Sequence, residues 1–330
     1  MSNDEYSRIL LDEYKKYDYL NQHKETQLIK ILVSYIKPSF LFKSNILTPI
    51  HLGRAVEKEN SKDGAITDKD IKWLHENCIG DDDFEGNISH VNRRVGFLTG
   101  TYWAWKNYEK LGNPDYFGSF GYRKFIAPTF INCLKNYDVI IPTKVSFKFS
   151  LKEQFINSHG QQLYYAMIDV LQKVFPEDMP FFNEYILQNS GYFHELYIMK
   201  REIFFDFCNW IFKILFMLLS SYKTNINNQG QHFFREKLVC QFLEMSEEEI
   251  LDKVGPKLKG SENRDIAFIL ERLTGFYLYK LSKDENIKIH IDPLIVSDEC
   301  KISDNKINRL ILDKMRQKTG MVLNERNHKR

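Results

Sequence analysis

Apolar and polar positions follow two different patterns along the chain. Residues 28–35 form a short, mainly aliphatic and β-branched run that ends at a Lys-Pro pair, which is typical of a buried strand that leads into a loop. Residues 115–120, which follow a Gly-Asn-Pro turn signal, and residues 139–142 are two further short apolar runs. We therefore predict three strands in this half of the chain. The helices predicted here cover residues 68–77 and 98–111.

After Ser150 the apolar positions recur mainly at helical spacing. A chain in which strands alternate with helices, and which then becomes helical, is typical of a parallel-type sheet domain with a helical C-terminal portion. The sequence thus predicts an α/β fold with a mixed, mainly parallel sheet flanked by helices. The helices predicted in this half cover residues 161–174, 201–219, 233–244, 264–281 and 304–318.

The same pattern suggests three parts. Residues 1–27 are predicted to form a helical extension at the periphery of the fold, because charged and aromatic residues are mixed there with few aliphatic ones. Residues 28–285 are predicted to form the main domain, which divides near Ser150. Residues 286–330 are predicted to be a C-terminal helical segment with a basic tail.

Composition and charge narrow the class of protein. The 330 residues are 43% hydrophobic, which is enough to bury a core, and the net charge of +2 is too small to favour nucleic acid as a partner. A small-molecule ligand is the better expectation. The five cysteines are widely spaced and include no CxxC pair, so they indicate neither a disulfide framework nor a zinc ribbon, and they suggest a reducing compartment.

No segment predicts a secretory signal or a membrane span. The N-terminus has no apolar run behind it. The most apolar stretch, residues 203–219, contains Asp206 and Lys213 and is shorter than the roughly 20 apolar residues that cross a bilayer. We therefore expect a cytoplasmic protein, with a core helix over this stretch.

Several strings in the sequence are distinctive in their order and spacing. Two tryptophans flanked by Tyr and by Lys-Asn, as in residues 98–107, are rare by chance. The strings are Pro-Ile-His-Leu-Gly at 49–53, Gly-Asn-Ile-Ser at 86–89, Leu-Thr-Gly-Thr-Tyr-Trp-Ala-Trp-Lys-Asn at 98–107, Gly-Tyr-Arg-Lys-Phe at 121–125, Tyr-Ile-Met-Lys-Arg at 197–201 and Ala-Phe-Ile-Leu-Glu-Arg-Leu at 267–273.

From Ile29 to Leu281 these strings resemble a family of capsular and lipopolysaccharide glycosyltransferases whose domain was catalogued as of unknown function. The chain departs from the family pattern at three polar positions. Ile36 and Gly121 each stand where the family has His, and Phe97 stands where it has an acidic residue.

The resemblance implies a GT-A-like, Rossmann-type domain that transfers a sugar from a nucleoside diphosphate sugar, with a UDP-hexose as the expected donor. Residues 28–150 would be the nucleotide-binding half and residues 151–285 the acceptor half. The acceptor would be a glycan or a lipid-linked glycan, which implies peripheral association with the inner face of the cytoplasmic membrane.

Glycosyl transfer requires positive charge beside the departing diphosphate. The usual GT-A sheet carries Asp-x-Asp at the end of a middle strand to hold a divalent metal, but here that strand ends in Gly121-Tyr122-Arg123-Lys124. We therefore expect Arg123 and Lys124 to replace the metal, since arginine is always charged and can bind phosphate oxygens in a bidentate manner. An ordinary structural ion pair is the alternative for Arg123.

A competing metal site is the run Asp81-Asp82-Asp83, because carboxylate oxygens are ligands that Mg²⁺ and Mn²⁺ prefer. Adjacent carboxylates on a loop are more often simply solvated. We therefore do not expect a divalent metal to be required.

The remaining candidates follow from motif positions. Glu271 is the predicted base, and the adjacent Arg272 is also predicted to be a catalytic residue. The two could equally form a structural ion pair on a helix. The acceptor-side candidates Trp103 and Trp105 lie two residues apart, so they cannot share one face of a helix, and core packing is the commoner outcome for both. The predicted donor-site residues are Tyr35, Lys37, His51, Gly53, Asn87 and Tyr122, together with Arg123 and Lys124, and the remaining acceptor-side residues are His159 and Glu195.

Two other functions remain open. The loss of polar groups at the three departing positions would also fit a non-catalytic subunit that binds a nucleotide sugar within a polysaccharide-synthesis complex. A transferase of phosphosugars or other decorating groups is the third hypothesis.

Overall fold

The computed structural model describes residues 3–22, 28–59, 66–221 and 264–296. Its helices are α1 (Asn3–Lys15), α2 (Asp68–Asn77), α3 (Asn92–Val95), α4 (Leu98–Lys106), α5 (Leu151–His159), α6 (Gln161–Val174), α7 (Met179–Ile186), α8 (Arg201–Ser221) and α9 (Asp265–Leu281). Its strands are β1 (Ile29–Tyr35), β2 (Leu47–His51), β3 (Ile79–Gly80), β4 (Tyr116–Gly121), β5 (Lys124–Ile126), β6 (Val139–Pro142), β7 (Val145–Ser146), β8 (Ser190–Gly191), β9 (Tyr197–Lys200), β10 (Ile289–Asp292) and β11 (Leu294–Val296).

One mixed sheet organises the fold, in the order β10-β6-β9-β4-β1-β2-β3. β1 lies near its centre and pairs in parallel with β2 on one side and β4 on the other. β10 and β6 are also parallel, as are β2 and β3, whereas β9 runs antiparallel to both of its neighbours. β5 and β11 form a short antiparallel extension beyond the end of β4. The predicted mixed, mainly parallel sheet is confirmed.

Apolar layers cover both faces of this sheet. Along β1, Leu32 packs on the side of α4, α6, α8 and α9, whereas Ile31 and Val33 pack on the side of α1. Since successive side chains of a strand point to opposite faces, a strand covered on both sides needs apolar residues on both faces, as in residues 31–33 at the centre of this strand.

The described part of the N-terminal extension packs against the sheet. Tyr6, Leu10 and Tyr14 of α1 are buried in the second of these layers. The Tyr14 hydroxyl donates a hydrogen bond to the backbone oxygen of Ile126 at 2.5 Å. Helix α1 thus covers one face of the sheet.

Most predicted helices match observed ones. Residues 68–77 and 161–174 are helical with the predicted bounds, and α8 and α9 agree with their predictions to within two residues at each end. The helix predicted over 98–111 ends at Lys106 and continues as a 3-10 turn over Tyr108–Leu111. The helices predicted over 233–244 and 304–318 lie outside the described residues.

Several strands lack a clear sequence pattern. β2 contains Pro49, a residue that usually argues against a strand inside a sheet, and β9 has only four residues and passes directly into α8. The segment 286–330 was predicted to be helical, but in its described part β10 and β11 extend the sheet instead. These strands are short, so their pairing partners rather than their own periodicity define them.

Helix α8 includes the most apolar stretch of the sequence, and most of its side chains are buried in the first core layer. None of the helices in the described ranges is both long enough and apolar enough to cross a membrane.

Candidate functional site

A cavity of about 610 Å³ opens at the carboxyl ends of β1 and β4. Ser34 and Ile36 line it at the end of β1, and the turn from Gly121 to Lys124 lines it after β4. Ligands of open α/β sheets bind at this edge, because the loops that follow neighbouring parallel strands meet there. The fold thus places the cavity where a ligand is expected.

Two more segments close the cavity. One is the segment around α3, which contributes Asn92 and Arg93 and then Gly96 and Phe97. The other combines the residues before β9 with the first turns of α9. It contributes His194, Glu195, Arg264, Ala267, Phe268 and Glu271.

Four cationic side chains from different elements line this cavity. Arg93 comes from α3, Arg123 and Lys124 from the β4–β5 turn, and Arg264 from the residue before α9. The guanidinium carbon of Arg123 lies 5.1 Å from the centre of the Tyr122 ring. Such a group of cations favours an anionic ligand.

Lys124 also fixes a neighbouring histidine. Its Nζ lies 2.8 Å from Nδ1 of His194, so the ammonium donates and the imidazole nitrogen accepts. Burial, and secondarily the charge of Lys124, lowers the pKa of His194 to about 4. The His194 ring is therefore neutral at neutral pH.

The cavity contains two glutamates in different surroundings. Burial raises the pKa of Glu195 well above its ordinary value, and the charge of Glu271 adds to this effect, while Arg264 and Lys124 oppose it. The backbone N–H of His194 donates to Oε1 of Glu271 at 3.2 Å. Glu195 therefore holds its proton more tightly than an exposed carboxyl group does, and Glu271 is fixed by a backbone donor.

The segment that carries Glu195 has an uncommon backbone conformation. His194 and Glu195 have φ values of 71° and 56°, in the left-handed region that non-glycine residues seldom occupy. Two consecutive residues of this kind cost of the order of 1–3 kcal/mol each, and such conformations cluster at functional sites.

Five of the predicted site residues line the cavity, namely Tyr122, Arg123, Lys124, Glu195 and Glu271. Three others support its walls from behind. Tyr35 stacks on Tyr122 with ring centroids 5.4 Å apart, and His159 stacks on the lining residue Phe268 at 4.1 Å. Gly53, with φ of 68°, lies so close to Asn92 that a Cβ there would be 2.7 Å from its side-chain oxygen.

The structure places Arg272 behind the cavity wall. Its Nη1 donates to the backbone oxygen of Leu151 at 3.1 Å, and its guanidinium lies 4.7 Å from the centre of the Phe193 ring. It thus anchors the segment next to His194.

The three adjacent aspartates are held by different partners. Asp81 is buried and accepts hydrogen bonds from the backbone N–H of Gly53 at 2.7 Å and from the Ser89 hydroxyl at 2.5 Å. Asp82 lies 3.6 Å from Nε of Arg54, and Asp83 accepts from the indole N–H of Trp103. These contacts account for all three carboxylates as parts of the loop structure.

Both tryptophans pack within the helical side of the fold. Trp103 is 2% exposed, and Trp105 stacks on Phe212 with the rings 5.3 Å apart and 3° from parallel. Neither of them lines the part of the cavity that the described residues form. Their role in acceptor binding therefore stays a prediction without a contact to support it.

Three other predicted donor-site residues do not belong to the described lining of the cavity. Asn87 closes a turn, donating to the backbone oxygen of Phe84 at 2.8 Å. Lys37 is exposed next to the lining residue Ile36. His51 is buried at the end of β2, and burial together with nearby cationic groups lowers its pKa to about 3.

All three departures from the family pattern, Ile36, Phe97 and Gly121, line the cavity. Asn92, Arg93, His194 and Arg264 also line it, although they are not among the predicted site residues. Arg264 lies three residues before the resembling string at 267–273 and Arg93 belongs to an Arg-Arg pair, so both had a sequence signal, whereas His194 had none.

The fold and the cavity define an α/β protein with a cationic cleft at the carboxyl edge of a mainly parallel sheet. Residues 30–247 match the model of a family described as Domain of unknown function (DUF4422), and the chain belongs to this family. Comparison with the curated proteins finds no match.

One similar solved structure is an apo form of WbbM, which is described as a bifunctional glycosyltransferase. The TM-score is 0.57 at 22% sequence identity, and the alignment covers 83% of this chain. This chain spans only 46% of the WbbM chain. The likeness establishes a shared fold.

Proposed function

We propose that this protein is a glycosyltransferase that transfers a sugar from a nucleoside diphosphate sugar, with a UDP-hexose as donor, to a surface-polysaccharide glycan. The observation that carries the proposal is the cavity at the carboxyl edge, in which four cations and two glutamates converge. Its volume of about 610 Å³ lies within the usual range of small-molecule sites. The fold shared with a glycosyltransferase structure supports the same class.

The cations would act on the leaving group. As the bond between the anomeric carbon and the diphosphate oxygen breaks, negative charge develops on the diphosphate. Arg123 and Lys124, with Arg93 and Arg264 around them, can stabilise that charge without reorganising, since all four already line the cavity. They would thereby supply the positive charge that a bound metal supplies in GT-A domains with Asp-x-Asp.

The glutamates would act on the acceptor. In an inverting transfer, the acceptor hydroxyl attacks the anomeric carbon and gives its proton to a base. Glu271 suits this role, because it faces the cavity and is oriented by the His194 backbone N–H. Glu195, which keeps its proton more readily, would donate a hydrogen bond to a sugar oxygen.

The acceptor is proposed to be a growing or lipid-linked glycan at the inner face of the cytoplasmic membrane. Phe97 and Phe268 line the cavity beside the charged groups and provide apolar surface of the kind on which a sugar ring can pack. A protein without turnover that only binds the nucleotide sugar is the second candidate, because Ile36, Phe97 and Gly121 are all apolar positions of the lining.

The test is a product assay on the purified chain with a panel of UDP, GDP and CDP sugars, with and without glycan acceptors. We expect release of the nucleoside diphosphate, and we expect Arg123→Ala to lower kcat/KM by about 10²-fold. Arg8→Ala, which changes an exposed arginine of α1, is the matched control and should retain full activity.

The products separate the alternatives. Binding of the donor without any turnover would support the scaffold function, and release of a nucleoside monophosphate would indicate phosphosugar transfer. Arg123→Ala with unchanged donor affinity and turnover would remove the proposed role of the cations.

A further inference from the structure

A second group of reactive side chains lies outside the cavity, between the loop after β2 and helix α2. His51 ends β2, Glu57 follows the 3-10 turn Arg54–Val56, and His75 lies in the last turn of α2. One nitrogen from each histidine and one oxygen of Glu57 all lie within 4.8 Å of one another. Among the described residues, these are the three histidine, cysteine or carboxylate side chains that converge closely enough to hold a metal ion.

The geometry centres on the Glu57 carboxylate. Its Oε2 lies 2.8 Å from Nε2 of His75 and 3.6 Å from Nδ1 of His51. The two imidazole rings are inclined by 52°, with centroids 6.0 Å apart. Three donor atoms from three separate positions of the chain therefore face one small space.

One of these atoms has no hydrogen-bond partner among the residues that the structure describes. His51 is 2% exposed, and its Nδ1 is buried and unsatisfied, since 3.6 Å to the carboxylate is too long for a hydrogen bond. A buried polar atom left without a partner costs of the order of 1–3 kcal/mol. A ligand between Nδ1 and Glu57 would remove that cost.

We infer that His51, Glu57 and His75 bind a divalent transition-metal ion of the zinc type. Two imidazole nitrogens and one carboxylate oxygen are a donor set that Zn²⁺ accepts, with water as the fourth ligand. Donor atoms placed tetrahedrally about 2.0–2.2 Å from zinc lie about 3.4 Å apart. Nδ1 of His51, 3.6 Å from Oε2 of Glu57, already has about this spacing. Nε2 of His75 is hydrogen-bonded to the same oxygen at 2.8 Å, and these two atoms would separate slightly to bind the ion.

The ion would link the loop to α2 and so support the cavity wall from outside. The same loop accepts two hydrogen bonds from Nη2 of Arg93, at 3.1 Å to the Val56 oxygen and 3.2 Å to the Glu59 oxygen. Arg93 lines the cavity, whereas none of the three ligands belongs to its described lining. The site is therefore a positioning site, distinct from the diphosphate-binding cations and from Asp81–Asp83.

The test is a titration of the chelator-treated full-length chain with Zn²⁺ against a chromophoric competitor, together with thermal unfolding. We expect one tight equivalent, and a midpoint raised by about 4 °C when free Zn²⁺ is a hundredfold above Kd. His75→Ala should weaken binding at least tenfold, since even outer-shell changes at metal sites cost about 10–100-fold. His75 is 37% exposed, so the variant should fold.

Two further variants make the result decisive. Glu57→Gln keeps the shape of the side chain but removes the anionic ligand, and it should lose affinity to a similar degree. His290→Ala is the matched control, because His290 lies 3.5 Å from the Asp292 carboxylate but belongs to no convergent trio among the described residues. The inference is overturned if the wild-type chain binds no Zn²⁺, or if His75→Ala and Glu57→Gln bind it as tightly as His290→Ala does.

Discussion

Glu195 and Glu271 line the same cavity, but their surroundings give them different chemistry. Burial raises the pKa of Glu195, and the charge of Glu271 raises it further, whereas Glu271 accepts a hydrogen bond from a backbone N–H. A carboxyl group that burial keeps protonated and a second one that a backbone N–H orients toward the cavity suit different roles in one site.

This difference predicts that amide substitution lowers kcat far more at Glu271 than at Glu195. Glu271→Gln should lower kcat by about 10²–10⁴-fold, because an amide cannot accept the acceptor proton. Glu195→Gln should lower kcat less than tenfold, because an amide resembles a protonated carboxyl group in shape and in its ability to donate. Steady-state assays on both variants, with circular dichroism to verify folding, measure the contrast.

Equal losses in the two variants would contradict the assignment of roles. Full activity of Glu271→Gln would exclude it as the base.

His194 predicts a pH dependence of stability. Its pKa is lowered from 6.5 to about 4, so the unfolded chain binds a proton at a pH where the folded chain does not. The stabilisation that results is fully present above pH 6.5 and is lost as the pH falls through about 4. The free energy of unfolding should therefore decrease over this window by a few kcal/mol.

Urea unfolding between pH 4 and 7.5 measures this effect. His194→Asn should show a shallower decrease than the wild type, and asparagine tolerates the left-handed backbone at this position. Parallel stability curves for the two proteins would show that His194 is not the group responsible.

At the scale of elements, the cavity depends on close approaches between segments. Gly275 of α9 lies against the chain before β9, where an added Cβ would be 2.3 Å from the backbone oxygen of Tyr192. This contact holds α9, which carries Glu271, next to the strained residues His194 and Glu195. The loop after β2 makes a similar approach at Gly53, which contacts Asn92 of α3.

Gly53 and Gly86 offer a matched pair of substitutions. Both have positive φ, 68° and 75°, but a Cβ at Gly53 meets the Asn92 side chain, whereas a Cβ at Gly86 has no atom within 4 Å. Gly86→Ala should cost only the backbone term of about 1–2 kcal/mol. Gly53→Ala should cost more and should also weaken donor binding, because Asn92 lines the cavity.

Denaturant unfolding and donor titration of both variants check this prediction. Equal stabilities, together with unchanged donor affinity in Gly53→Ala, would show that the contact with Asn92 does not shape the cavity.

At the scale of the whole molecule, the net charge conceals a local concentration of positive charge. The sequence total is +2, yet four cationic side chains meet in one cavity. Nothing in the overall charge predicts this, because surface charges of both signs cancel in the sum.

This distribution predicts how the chain responds to nucleotide. UDP at a hundredfold excess over Kd should raise the midpoint of thermal unfolding by about 4 °C, and added KCl should reduce that shift by screening the cations. Arg264→Ala should reduce it as well, whereas Arg8→Ala should not. Thermal-shift measurements with UDP and with uridine test the phosphate contribution, since an equal shift with uridine would argue against it.

The sequence determined the class of fold. Burial on both faces of a strand, or along one side of a helix, requires apolar residues at fixed spacing, and that spacing is a local property of the sequence. It is visible in the strands at residues 29–35, 116–121 and 139–142 and in helices α6, α8 and α9. The motif at residues 121–125 likewise placed Tyr122, Arg123 and Lys124 at a strand end.

The tertiary structure alone decided which residues meet. Short strands such as β9 and β10 are stabilised by the strands they pair with in the sheet. His194 and Glu195 reach the cavity because their backbone is left-handed, which the spacing of apolar residues does not predict. Arg93, Glu195 and Arg264 are far apart along the chain and come together only when the sheet and α9 are assembled. Local patterns depend on residues that are neighbours in sequence. A binding site depends on contacts between residues that are distant in sequence, and those contacts form only when the whole chain packs.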